Sequence, residues 1–331
     1  MAIMMSLPEF SDVIAAAKRL APHVRKTPVF RSGELSALAG ADLFFKAENL
    51  QETGSFKLRG ATNRLLQIDE GDRPAGVVAF SSGNHAQGVA RAARRLGMSA
   101  TIVMPADAPE IKIAGVRADQ AELVLYDRET ENREEIAAQI AAKTGAIVVP
   151  SFDDPYIIAG QGTCGIEYAE QMQALGGPLD HLICCTGGGG LIGGIALAMS
   201  GLSAKTRIWA AEPAGHDDWS RSLDAGEIQS NAPGTRSICD AILTPKPGDL
   251  TWAVGKSRLS GGLVVEDDQV RSAVRAAFRH LKLVVEPGGA AALAAALYAL
   301  PEEARGKRVG IVLTGGNVDP SVFAEIIASE A

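Results

Sequence analysis

The sequence predicts an α/β protein made of three-layer α/β/α units around mostly parallel sheets. Two observations carry this. Short β-branched or apolar runs alternate with alanine-rich helical patterns along most of the chain, the order expected when crossover helices cover a parallel sheet. Three of those runs end in small-residue turns, Ser81-Ser82-Gly83-Asn84, Thr186-Gly187-Gly188-Gly189-Gly190 and Thr314-Gly315-Gly316-Asn317. Open parallel sheets bind ligands beyond the carboxyl ends of their strands, and three such turns suggest one ligand held from several sides.

The clearest elements run from Gly76 to Pro150. Strands are predicted over Val77–Phe80, Ala100–Met104, Glu122–Tyr126 and Ala146–Val149, with helices over Asn84–Leu96, Glu110–Ala118 and Asn132–Lys143 between them. A second series has strands over His181–Thr186, Arg207–Glu212 and Val309–Thr314, and helices over Gly162–Leu175, Asp268–Lys282 and Gly289–Leu300. The four prolines from Pro213 to Pro247 mark a loop-rich excursion that runs to Leu250.

Composition narrows the class. A chain of 331 residues, 47% hydrophobic and 21% charged, has ample material for a buried core and no disordered bias. The net charge of −7 without a Lys/Arg block disfavours a nucleic-acid partner. Apolar runs such as Val309–Leu313 are too short to cross a bilayer, and the opening residues carry no basic, apolar leader. Cys164, Cys184, Cys185 and Cys239 form no CxxC pair and read as buried free thiols of a reducing cytoplasm.

The glycine turn after His181–Thr186 supports two readings. Gly188, Gly190 and Gly193 fit the spacing of a dinucleotide fingerprint, and Glu212 ends the next strand where a ribose-binding acid would stand. The same glycines serve equally as a cradle for one phosphate, their N–H groups aided by the following helix.

Thr53-Gly54-Ser55-Phe56-Lys57-Leu58-Arg59-Gly60-Ala61 bears on that choice. This segment resembles the Schiff-base lysine motif of fold-type II pyridoxal-phosphate enzymes, the family of threonine and serine dehydratases and serine racemase. Ser81 to His85 is similar to that family's substrate-carboxylate loop, Thr186 to Gly190 to its phosphate loop and Thr314 to Asn317 to its pyridine-nitrogen turn. The four motifs stand in the family's order, and the similarity covers almost the whole chain.

The resemblance implies the tryptophan synthase β-like fold, with a large cofactor domain over residues 1–70 and 152–331 and a small domain over 71–151. It implies Lys57 as the residue that bonds pyridoxal 5'-phosphate and later takes the substrate α-proton, a task that needs a depressed amine pKa. Phe56 would contact the cofactor ring, Asn84 its phenolic oxygen, and Gly187, Gly188, Gly189, Gly190 and Leu191 its phosphate. Thr314 would face the ring nitrogen, with Glu286 as a second acidic position near that end. A hydroxyl there does not favour a protonated ring, which suits fast loss of a β-leaving group.

Ser81, Ser82, Gly83 and His85 would hold the substrate carboxylate. Ser82 would also face the substrate opposite Lys57, as in racemases. Glu212 and Asp218, with the His216 backbone carbonyl, resemble a divalent-cation site suited to Mg, Ca or Mn.

The activity implied is an ammonia-lyase acting on a small β-hydroxy amino acid, threonine or serine first. Arg133, at the start of its helix, complicates that order: pointing inward, it would meet a second carboxylate and favour 3-hydroxyaspartate. In Cys239-Asp240-Ala241 relatives commonly carry Ala-Asp-Gly, so Ala241 adds a methyl group beside the cofactor region. The absence of a regulatory segment after the last helix resembles the short catabolic dehydratases, and homodimerisation is expected from the family.

Overall fold

The computed structural model describes residues 6–329; the opening residues read for a leader lie partly outside that range. Ten strands form two sheets. β1 (Val29–Arg31), β2 (Asp42–Ala47), β7 (His181–Cys185), β8 (Arg207–Pro213), β9 (Gly261–Val265) and β10 (Arg308–Leu313) make a six-stranded sheet in the order β1-β2-β10-β7-β8-β9. Only β1 runs antiparallel, against β2. β3 (Val77–Phe80), β4 (Ala100–Pro105), β5 (Glu122–Tyr126) and β6 (Ile147–Val148) make a parallel four-stranded sheet in the order β5-β4-β3-β6.

The helices are α1 (Phe10–Leu20), α2 (Gly33–Ala39), α3 (Lys57–Leu66), α4 (Asn84–Arg95), α5 (Glu110–Ala118), α6 (Arg133–Thr144) and α7 (Pro155–Ala174). They continue with α8 (Gly190–Leu202), α9 (Asp218–Ala225), α10 (Asp249–Gly255), α11 (Asp267–Ala276), α12 (Pro287–Tyr298) and α13 (Pro320–Ala328). Strands β3 and β5 and helix α5 keep the bounds read from sequence. Helix α7 begins seven residues before the predicted start, because Asp154 caps it by accepting from the N–H groups of Tyr156 and Ile157, and Pro155 suits the first turn. The predicted helix over Asp268–Lys282 breaks from α11 into a π-turn at Ala277–Leu281 and ends on Lys282 in the left-handed region. The proline-rich excursion also contains α9.

Apolar faces explain the layers. Leu43, Phe45, Ile183, Ala211 and Ile311 of the large sheet bury one face with the alanines of α12, while Phe44, Leu182, Cys184, Ala210 and Val312 bury the other with α7 and α8. That is the period-2 alternation of a sheet covered on both sides. Beneath the small sheet, Val77, Ala79, Ile102 and Met104 pack with Ala86, Val89 and Ala93 of α4. Ala61 and Leu65 of α3 and Ile157 of α7 join that same core, so these two helices bridge the sheets. All four cysteines are buried free thiols, and no described helix is long and apolar enough to cross a membrane.

Candidate active site

The carboxyl ends of β3, β7 and β10 converge on one cavity. Phe56, Lys57, Ser81, Ser82, Gly83, Asn84, His85, Arg133, Gly187, Gly188, Gly189, Gly190, Leu191 and Thr314 all line it. Glu286, Glu212, His216 and Asp218 do not.

Lys57 opens α3 and is half-buried. Its Nζ donates to the Ser151 carbonyl at 2.8 Å and lies 5.2 Å from the centre of the Phe56 ring. Burial depresses its amine to about 8, which favours the neutral, nucleophilic form far more than in an exposed lysine. The loop before it is stitched to the turn after β10: Phe56 N donates to Thr314 O at 3.1 Å, Gly316 N to Gly54 O at 2.9 Å, and Ser55 bridges Gly315. Sequence-distant motifs are thus one structural unit.

The glycine turn is built as an anion cradle. Trp219 Nε1 donates to Gly187 O at 2.8 Å and Thr251 Oγ1 to Gly188 O at 2.6 Å. A planar trans peptide aims its N–H opposite its carbonyl, so the N–H groups of Gly188 and Gly189 turn away from Trp219 and Thr251. The α8 N-terminus adds N–H groups that have no intrahelical partner. Gly189 has φ +93°, and a Cβ there would collide with the Trp219 indole; only glycine fits both demands.

On the other side, the Ser81–His85 loop starts α4. Gly83 N donates to Ser81 Oγ at 3.2 Å. Asn84 Nδ2 donates to Glu286 Oε1 at 2.5 Å, and Asn84 Oδ1 accepts from Asn317 Nδ2 at 2.8 Å. Glu286 therefore stands behind Asn84 and faces an adjoining cleft, rather than lining the Lys57 cavity as the resemblance implied. His85 Nε2 donates to Val149 O at 3.0 Å. Burial, then the nearby Lys57 charge, depresses its imidazole to about 3, so it is neutral at ordinary pH. Its one N–H being spent on Val149, the side chain has no donor for a carboxylate; only the backbone of His85 retains that role.

Arg133 turns inward. Its guanidinium carbon lies 5.6 Å from the Phe80 ring centre, and the half-buried side chain reaches both the Lys57 cavity and the adjoining cleft. Lys112 belongs to none of the sequence motifs. Buried on α5, it pairs with Asp240 Oδ2 at 2.7 Å and reaches Glu286 Oε2 at 3.1 Å, an ion-pair contact off line for a hydrogen bond. Burial alone would lower the Lys112 amine, but Glu286 and Asp240 raise it above its usual range, while burial raises Glu286 against the pull of Lys112. The available signal was its place: Lys112 shares the buried face of α5 with Ile113 and Val116. Ala241 lines the cavity, its Cβ 3.1 Å from where a side chain on Gly288 would begin.

Glu212 is wholly buried, its Oε1 and Oε2 accepting from Trp219 N at 2.9 Å and Ser220 N at 2.8 Å at the start of α9. That placement removes it from any ribose and overturns the dinucleotide reading. Asp218 Oδ1 accepts from Asn231 Nδ2 at 2.6 Å, whereas Oδ2 is buried without a partner, as are both ring nitrogens of His216. Burial raises Glu212, with Asp218 adding to it, and burial raises Asp218 to about 6. Among the described residues no three His, Cys, Asp or Glu side chains group as metal ligands; a cation here would need carbonyl or water oxygens beside the two carboxylates.

A half-buried lysine with a depressed amine, an amide cradle at a helix N-terminus and a hydroxyl-tipped third turn around one cavity are the parts of a pyridoxal-phosphate site. Residues 20–315 match the family described as pyridoxal-phosphate dependent enzyme. The chain belongs to that family, in its fold-type II branch with serine racemases, threonine deaminases and hydroxyaspartate dehydratases.

Within the branch it is 46% identical over 324 residues to an L-threo-3-hydroxyaspartate ammonia-lyase of a Pseudomonas species, covering 98% of this chain and 99% of the relative. It is 42% identical over 316 residues to the β-hydroxyaspartate dehydratase of Paracoccus denitrificans, covering 95% and 98%. Among solved structures, maize serine racemase superposes with a TM-score of 0.91 at 37% identity, covering 97% of each chain.

Proposed function

We propose that the chain is an ammonia-lyase that removes water and ammonia from 3-hydroxyaspartate, giving a 2-oxo dicarboxylic acid. This reverses the order read from sequence, where threonine and serine came first. Similarity to two hydroxyaspartate-cleaving relatives supports the change, and the observation that carries it is the inward Arg133, a planar cation able to pair with a second carboxylate.

The residues divide the work. Backbone N–H groups at the start of α4, with Ser81 and Ser82, hold the α-carboxylate; Arg133 holds the distal one and so orients Cα–H toward Lys57. Lys57 Nζ takes the α-proton, its amine depressed to about 8 and so still basic yet substantially neutral near that pH. Pyridoxal phosphate, when bound, supplies the electron sink for the charge left at Cα. The α-proton and the β-hydroxyl are lost together as water, leaving an enamine; it tautomerises to an imine, to which water adds and from which ammonia departs. Gly187 to Leu191 would hold the phosphate and Thr314 the ring nitrogen. A serine racemase activity is the second reading, favoured by Ser82 on the same cavity.

The same reading keeps a small unit at residues 71–151, a homodimer, and a divalent cation at Glu212, Asp218 and the His216 carbonyl, where the orphaned Asp218 oxygen fits an oxygen-loving ion.

The test is turnover of 3-hydroxyaspartate, threonine and serine by wild type and Arg133→Ala. Losing a charged hydrogen bond should cut kcat/KM for 3-hydroxyaspartate about 10- to 100-fold while serine changes little. An equal loss on all three would remove Arg133 from substrate choice.

A further inference from the structure

We propose that His85 is a positioning residue whose Nδ1 is a fixed acceptor for the Lys57 ammonium, holding that amine beside the substrate once it carries a proton. This rests on Lys57 being the reactive amine of the proposed function. Three observations place the imidazole and the amine side by side. His85 Nε2 donates to Val149 O and Lys57 Nζ to Ser151 O, so both side chains hang on carbonyls two residues apart in one segment. A Cβ on Gly88 would stand 3.1 Å from the Lys57 carbonyl carbon, so α4 passes against the Lys57 main chain. His85 lies one turn before Gly88 on that same face. Both residues line the one cavity.

The tautomer follows from the bond. A carbonyl only accepts, so Nε2 carries the hydrogen and Nδ1 keeps its lone pair. That nitrogen is buried, on a residue 1% exposed, and has no partner. A buried unpaired acceptor costs stability, and the residue that carries it lines the same cavity as Lys57. Burial and the α4 N-terminus both oppose protonation, so the ring acts as an acceptor and not as a base. The other charged groups facing the cavity are Lys112 on α5, Arg133 on α6 and Asp240, with Glu286 of α12 behind Asn84; none of them offers Lys57 a neutral acceptor.

The test measures Lys57 itself. In full-length protein freed of cofactor, pH-dependent competitive acylation read by mass spectrometry gives the Lys57 titration midpoint without substrate, and holoenzyme kinetics give kcat and KM. His85→Gln keeps an amide donor for Val149 O but loses the ring acceptor. It should lower the Lys57 midpoint by about one pH unit and kcat about tenfold, with KM nearly unchanged. His85→Asn, which retains an acceptor near the Nδ1 position, should restore the midpoint.

A midpoint unmoved in folded His85→Gln would overturn the proposal. Should that variant not fold, 15N shifts of the wild-type imidazole decide: Nδ1 must be unprotonated near neutral pH, and a protonated Nδ1 overturns the assignment. Because the midpoint is read without substrate, failure of 3-hydroxyaspartate as substrate is a separate result.

Discussion

Replacing Arg59 by methionine tests how Lys57 is held. Arg59 lies two residues along α3 and is fully buried. Its Nε and Nη2 donate to the two oxygens of buried Glu48 at 2.8 and 2.9 Å, and Nη1 and Nη2 to those of Glu167 at 2.7 and 2.8 Å. Lys46 completes the cluster, donating to Glu167 at 2.7 Å. Burial alone would raise Glu48, but the Arg59 charge and hydrogen bonds, then Lys46, bring it below the usual carboxylate range.

Arg59→Met keeps the bulk and leaves Glu48 charged, dry and short of its main partner, which typically costs about 3–5 kcal/mol. Against a typical stability of roughly 5–15 kcal/mol that is a large loss. Glu48→Gln/Arg59→Met should be less damaged than Arg59→Met, because no carboxylate remains stranded there.

The sign with pH follows. In wild type the depressed Glu48 contributes stability above its unfolded pKa and loses it as pH falls through the folded value. In Arg59→Met the folded pKa rises instead, so the penalty is full near neutrality and relieved on acidification. Urea unfolding followed by tryptophan fluorescence at pH 7 and pH 5 measures both. An Arg59→Met variant within 1 kcal/mol of wild type at pH 7, on the scale of a surface pair, or a deficit that grows on acidification, refutes this account.

Two further outcomes concern the cofactor and the cation. With Lys57 near 8, capture of pyridoxal phosphate by cofactor-free protein, followed by absorbance, should reach half its maximum near pH 8 and level roughly one pH unit above that. Continued increase toward pH 10 would mean an ordinary exposed amine. Mg²⁺, Ca²⁺ or Mn²⁺ should raise the melting temperature of wild type and not of Asp218→Asn. Equal behaviour of the two proteins would count against the ion site.

Much of this was legible in the chain because strand-end turns carry their chemistry in local sequence. Ser81–Asn84, Gly187–Gly190 and Thr314–Asn317 each follow an apolar run, and all three reach one cavity. What stayed hidden lacks a local period. Strand β2 contains Lys46, which its alternation would send to solvent but which is buried on the ion cluster. Helix α8 is buried along most of its length, so it shows no amphipathic stripe. The early turns of α7 carry glycines chosen for close approach, as where Gly162 meets Gly194 of α8. Glu286 matched a ring-side position in sequence, yet its side chain serves Asn84 and Lys112, an arrangement only three-dimensional packing decides. Arg133 showed its residue type in sequence but not its direction.

Helix α3 has one further consequence. Its Ala61 and Leu65 are anchored in the small-sheet core while Arg59 is anchored beneath the large sheet, and the reactive amine sits at its first residue. The nucleophile is therefore a rivet through both halves of the molecule. Loosening either half shifts the same nitrogen, so lesions far from the cavity, in the β4 isoleucine Ile102 or the α7 carboxylate Glu167 alike, would first announce themselves as failing chemistry.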